Sequence, residues 1–157
     1  MRIEEAIKQD HFESPRHKAL LNLLYTASWM KLNISQNFKP FGLTQEQFNV
    51  LRILRGQKGK AISLKEVTQR MLDKSSNTSR IVDRLKRKGL VTRSECTEDR
   101  RLVDLVITEM GLDLLKEMDK TDAANTFPLN LTDDEAVLLS SMLDKARGEL
   151  AEKNNVD

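Results

Sequence analysis

This sequence is sparing with several residue types, and each shortage excludes something. Its 157 residues hold one cysteine, one tryptophan, one tyrosine and three prolines. A lone thiol, Cys96, excludes an internal disulfide framework and fits a reducing compartment. Aromatic side chains make up 4% of the chain, so a core must come mainly from Leu, Ile, Val and Met. No run approaches the roughly 20 apolar residues that a membrane span needs. The opening MRIEEAIKQD has no apolar stretch of the secretory kind. A cytoplasmic protein without a membrane partner is expected. Catalytic signatures are missing too: there is no phosphate-cradling glycine loop, no HExxH, and no cysteine with nucleophile partners. His11 and His17 stand without a cysteine or paired carboxylate at ligand spacing, so no metal and no cofactor are expected. The chain does not read as an enzyme.

What is present suffices for a folded protein, with 39% hydrophobic and 32% charged residues. The net charge of +2 conceals a segregation. Residues 74–101 hold nine Lys or Arg against four acids, a net +5, whereas residues 108–157 hold five against twelve, a net −7. Such a split separates a polyanion-facing module from a solvated or subunit-facing one.

Helical spacing begins at Ser14-Pro15, a capping side chain followed by a residue already set for the first helical turn. Leu20, Leu24, Ala27, Met30 or Lys31, Ile34 and Phe38 then recur on one face, until Pro40 and Gly42 end the helix. TQEQ (44–47), SLKE (63–66) and TDDE (132–135) read as capping boxes that open three further helices. Ile62 is a candidate for one short strand. After DKSS (73–76) a helix is expected over about 75–88, with Thr78, Ile81, Val82 and Leu85 inward and Gly89 as its stop. Two short helices joined by about four residues form a helix-turn-helix arrangement. From Leu90 the period changes to two: 90–95 and 102–107 read as strands of a hairpin, with CTEDRR between them.

On the helix expected at 75–88, burying that apolar stripe turns Ser76, Asn77, Ser79, Arg80, Asp83, Arg84 and Arg87 outward. Short hydrogen-bonding groups at the first turn, with an arginine one turn later, suit a helix that must approach base edges in a major groove. Asn pairs with adenine and Arg with guanine, while Ser and backbone N–H groups meet phosphates.

Residues 64–108, LKEVTQRMLDKSSNTSRIVDRLKRKGLVTRSECTEDRRLVDLVIT, resemble the winged helix-turn-helix core of the MarR family of bacterial transcription regulators. VDRLKRKGLV (82–91) and the EDRR tip running into LVDLVIT carry most of the likeness. FGLTQEQFNVLRIL (41–54) resembles the family's second helix, and the resemblance extends from about Ser14 to Leu150. It implies a mainly α fold with a small β-hairpin wing (α+β). It also implies an N-terminal dimerisation helix at 14–42, a winged helix-turn-helix domain at 43–110 with a wing at about 90–107, and C-terminal dimerisation helices at 111–157, in one compact subunit. The implied partners are double-stranded DNA and a second copy of the chain. Ser75, Ser76, Asn77, Ser79, Arg80 and Arg84 fall on the family's recognition surface. In the wing, Arg101 is implied to enter a minor groove and Asp99 to hold the wing, with Arg100 nearer the backbone. A narrow A·T-rich minor groove attracts a guanidinium. Members commonly act as repressors that respond to a small, often phenolic, ligand held between the dimer helices and the winged domain. Tyr25, Trp29, Met30, Phe48 and Met71 are either walls of that crevice or dimer core, and core is the reading favoured. Cys96 lies in the wing, away from the helix that holds reactive thiols in peroxide-sensing members, so a passive role is expected. The contrasting function is a dimeric protein-interaction module, or an antagonist of another regulator that does not bind DNA itself. The basic helix and wing disfavour it, since interaction surfaces are depleted of charge at their centre.

Overall fold

Three reciprocal caps set where helices start. Thr44 Oγ1 accepts from the Gln47 N–H while the Gln47 side-chain oxygen accepts from the Thr44 N–H. Ser63 with Glu66 and Thr132 with Glu135 repeat the arrangement, each satisfying backbone donors that a helix end leaves orphaned. Hydrogen bonds from the Ser63 and Thr132 backbone, and then from their hydroxyls, hold Glu66 and Glu135 below the usual carboxylate range. The computed structural model describes residues 1–95, 103–121 and 129–153. Along it run α1 (Ile3–Ile7), α2 (Pro15–Phe38), a single 3₁₀ turn (Lys39–Phe41), α3 (Gln45–Arg55), β1 (Ile62–Ser63), α4 (Leu64–Arg70), α5 (Thr78–Arg87), β2 (Val91–Glu95), β3 (Val103–Ile107), α6 (Glu109–Lys120) and α7 (Asp133–Lys153). The fold is mostly helical with a small antiparallel sheet.

The sheet has the order β1-β3-β2, with Ile62 opposite Leu105 and Val91 opposite Ile107. Its inner face meets α3, which touches α2, α4, α5, α6 and β3 and so carries the centre of the core. Val50, Leu51 and Leu54 of α3 are sealed from solvent by Val67, Met71, Val82, Leu85, Leu105, Leu115 and Met118. Phe38, from the last turn of α2, stacks on Phe48 with ring centroids 4.6 Å apart. Aliphatic residues thus fill the core, as the scarcity of aromatics requires.

The end of α5 is welded to the start of α6. Gly89 takes φ +72°, a left-handed stop that other residues adopt at a cost. The Thr108 hydroxyl donates to the Gly89 carbonyl at 2.7 Å and accepts from the Gly111 N–H, capping α6. Gly111 is needed for closeness: a Cβ there would sit 2.5 Å from the Leu90 carbonyl oxygen and 2.7 Å from Ile107 Cγ1.

Residues 1–125 and 126–157 form two separate units. In the first, α2 is about 36 Å long at 1.5 Å per residue. The apolar stripe read along it divides: Ile34 and Phe38 are buried, while Leu20 and Leu24 are exposed. α1, which periodicity does not announce, folds on the start of α2 with Ile3 buried and Glu4 paired to Lys18. That ammonium, as hydrogen-bond donor, lowers the Glu4 pKa. In the second unit α7 leaves Val137, Leu138 and Met142 exposed. No helix among the described residues is long and apolar enough to cross a membrane.

Candidate nucleic-acid interface

The turn between α4 and α5 is built by side chains. Asn49 of α3 accepts from the Leu72 N–H at 3.1 Å. Asp73 then accepts from both the N–H (2.9 Å) and the hydroxyl (2.6 Å) of Ser75. The Ser75 hydroxyl and N–H are the main reasons that the Asp73 pKa is lowered, with Lys31, 3.8 Å away on α2, contributing less. Asn77 is the cap of α5, its side-chain oxygen Oδ1 accepting from the Arg80 N–H at 3.1 Å. The helix expected over 75–88 therefore begins at Thr78 and ends at Arg87. Ser75 and Ser76 lie in the turn, and the Ser75 hydroxyl is committed to Asp73.

From Thr78 the stripe is as expected: Thr78, Val82 and Leu85 are buried and Ile81 is partly covered. Ser79, Arg80, Asp83, Arg84 and Arg87 are exposed on the opposite face. The guanidiniums of Arg80, Arg84 and Arg87 make no ion pair among the described residues. One face of a helix held by its apolar stripe thus carries three cations, the Asp83 carboxylate and a hydroxyl. Chemically it can bind a polyanion and offer bidentate donors to acceptor edges.

A groove follows α5 where it faces the start of α3. Near Asn77 and Arg80 it is about 250 Å³ and includes Glu46 and Ser76. Towards Arg87 it widens to about 560 Å³. Periodicity does not reveal this groove, since its walls come from segments some 40 residues apart; the clustered basic residues are its only trace in the sequence.

The expected wing strands form, as β2 and β3 joined in antiparallel register. Cys96, Asp99, Arg100 and Arg101 lie outside the described residues. The five residues considered for a ligand crevice do not come together as one. Phe48 and Met71 are buried in the core, Met30 packs against it, Tyr25 is half-buried and Trp29 is 46% exposed. Of the five, only Met71 lines the 380 Å³ cleft between α2, α3 and the turn before α5, together with Lys31, Gln45, Asn49 and Asp73. Phe48 is withdrawn from it by its stack on Phe38. Among the described residues, no three His, Cys, Asp or Glu side chains group as metal ligands.

Residues 41–102 match the model of the MarR family. The transcriptional repressor MprA of Escherichia coli is 30% identical over 121 residues, covering 74% of this chain and 69% of that protein. The chain belongs to the MarR family. It is a DNA-binding transcription regulator and not an enzyme. Solved MarR structures match its fold closely. A MarR transcription factor from Planctomyces limnophilus is 29% identical, with a TM-score of 0.66 over 85% of this chain and 98% of that one. A cysteine-to-serine mutant of MarR from E. coli, solved complexed with operator DNA, is 25% identical, with a TM-score of 0.69 over 82% of this chain and 93% of that one. The mostly helical fold with its small antiparallel sheet matches these winged-helix structures.

Proposed function

We propose that this MarR protein is a homodimeric, ligand-responsive repressor that reads a pseudo-palindromic operator. The observation that carries the reading is the outer face of α5, where Ser79, Arg80 and Arg84 stand exposed on a helix that the core cannot let rotate. In the major groove Arg80 and Arg84 supply forked donors for guanine or phosphate, and Ser76 and Asn77 stand at the groove's edge. Ser75 acts indirectly, by shaping the turn through Asp73. In the wing Arg101 enters the minor groove, Asp99 steadies it and Arg100 meets the backbone. Repression follows the sign of the E. coli relative.

Dimerisation is supported by the apolar side chains that α2 and α7 each leave uncovered, among them Leu20, Leu24, Val137 and Met142. A ligand in the 380 Å³ cleft would touch both α2 and the turn entering α5. It would thereby shift the spacing of two recognition helices that must serve half-sites about 34–36 Å apart. Substitution tests the base reading. Arg80→Ala is expected to relax preference at particular base pairs, and Arg101→Ala to cost on the order of 1–3 kcal/mol of operator affinity. Measured by titration against duplexes varied at each position, unchanged affinity and unchanged preference in both variants would remove these residues from the interface.

A further inference from the structure

Four cations gather where the groove along α5 widens, and two of them lie beyond the recognition helix. The 560 Å³ cleft is lined by Lys39 of the 3₁₀ turn, Arg84 and Arg87 of α5, and Lys88 just past its end, with Thr44 on the facing wall. Among the described residues no carboxylate lines it. The Lys88 ammonium donates to the Gly42 carbonyl, which spans the cleft and holds that wall in place. An ammonium has three donors, so two remain for a ligand. Lys39, Arg84 and Arg87 make no side-chain hydrogen bond or ion pair among the described residues. The start of α3 is not the attraction, because Thr44 and Gln47 already satisfy each other there. The four like charges that line the cleft repel one another, and a polyanion relieves that repulsion. Through Thr44, Gln47 and Arg84 the cleft continues into the narrower stretch beside Asn77 and Arg80. That stretch holds the carboxylate of Glu46, so an anion is favoured at the wide end.

We propose that this cleft grips the DNA backbone, with Lys39 and Lys88 joining Arg84 and Arg87 to hold phosphates of the strand that borders the major groove occupied by α5. The inference rests on the DNA-binding reading and adds to it a contact that sets affinity without reading sequence. A strand laid along the groove passes the base-reading end of α5 and leaves across the four cations, which a small phosphorylated molecule would have no need to span.

Lys39→Gln isolates the claim, since Lys39 is exposed and lies on neither α5 nor the wing. Affinities of the full chain for its selected operator and for an unrelated duplex are measured from low to high salt. Lys39→Gln is expected to weaken both by a similar factor and to flatten the slope of log K against log[salt] by about 0.9. Its preferred sequence should stay that of the parent. Lys116→Gln, which removes an ammonium already paired with Asp113 on α6, should leave the slope unchanged. A wild type with a steep slope and a Lys39→Gln variant that matches it would overturn the cleft while leaving DNA binding intact. A changed sequence preference in Lys39→Gln would overturn it also, making Lys39 a base reader. Inorganic phosphate at matched ionic strength should compete no better than chloride. Phosphate-specific release that Lys39→Gln abolishes would assign the cleft to a small anion instead. A wild type that binds no duplex removes the broader reading, and this one with it.

Discussion

Asn77 faces two demands on one oxygen. Its side-chain oxygen caps α5 by accepting from the Arg80 N–H, whereas pairing with adenine would need that oxygen and the amide nitrogen together. The cap is formed in the free protein, so stability is where Asn77 should register first. Asn77→Ala is expected to cost about 1 kcal/mol in denaturant unfolding, and Asn77→Ser, which restores a capping oxygen, to recover most of it. Equal stability of all three proteins would contradict the cap. Asp73 makes a second residue-scale claim. Its carboxyl is held below the usual carboxylate range mainly by the two Ser75 donors, with a smaller contribution from Lys31. A carboxylate with a depressed folded pKa contributes stability that is present above the unfolded pKa and is lost as pH falls through the folded one. The turn entering α5 should therefore loosen only in acid, below the ordinary carboxylate range. Ser75→Ala is expected to raise the Asp73 midpoint in an NMR titration of the carboxyl carbons; an unmoved midpoint would contradict the contact.

Elements differ in how openly the sequence declares them. The stripe of α5 is legible because Thr78, Ile81, Val82 and Leu85 follow the helical period and are also its inward face. Local pattern places the start of the same helix three residues early. Ser75, Ser76 and Asn77 are all competent caps; the contact of Asp73 with Ser75 two residues on commits the Ser75 hydroxyl within the turn, and Asn77 serves as the cap. α1 escapes a sequence reading because five residues cannot repay helix nucleation by themselves; burial of Ile3 and the Glu4–Lys18 pair hold it. The residues considered for a ligand crevice are dispersed for another reason. Spacing on α2 cannot tell a wall from a core. Tertiary stacking on Phe38 takes Phe48 inward, while Trp29 is left at the surface. The cleft beside Lys31 and Asp73 draws on separate segments of the chain, so no local pattern could mark it.

At the scale of the whole molecule, a single chain leaves much apolar surface in water. Leu24 is 58% exposed on α2 and Val137 71% on α7, with several leucines beside each. Soluble monomers rarely tolerate such patches without a partner. Leu24→Glu changes an exposed side chain, so the isolated subunit should fold as before while association weakens. Sedimentation equilibrium is expected to show the parent as a dimer and the variant shifted towards monomer; equal masses would contradict α2 as an interface. The central claim is that two copies of α5 and the wing read DNA sequence together. Selection of the purified protein against random duplexes, followed by sequencing, tests it most directly. The expected result is an enriched pseudo-palindrome whose half-sites lie about one helical turn apart, roughly 10–10.5 base pairs. Recovery of unenriched duplexes, or of a single half-site without symmetry, would contradict the account.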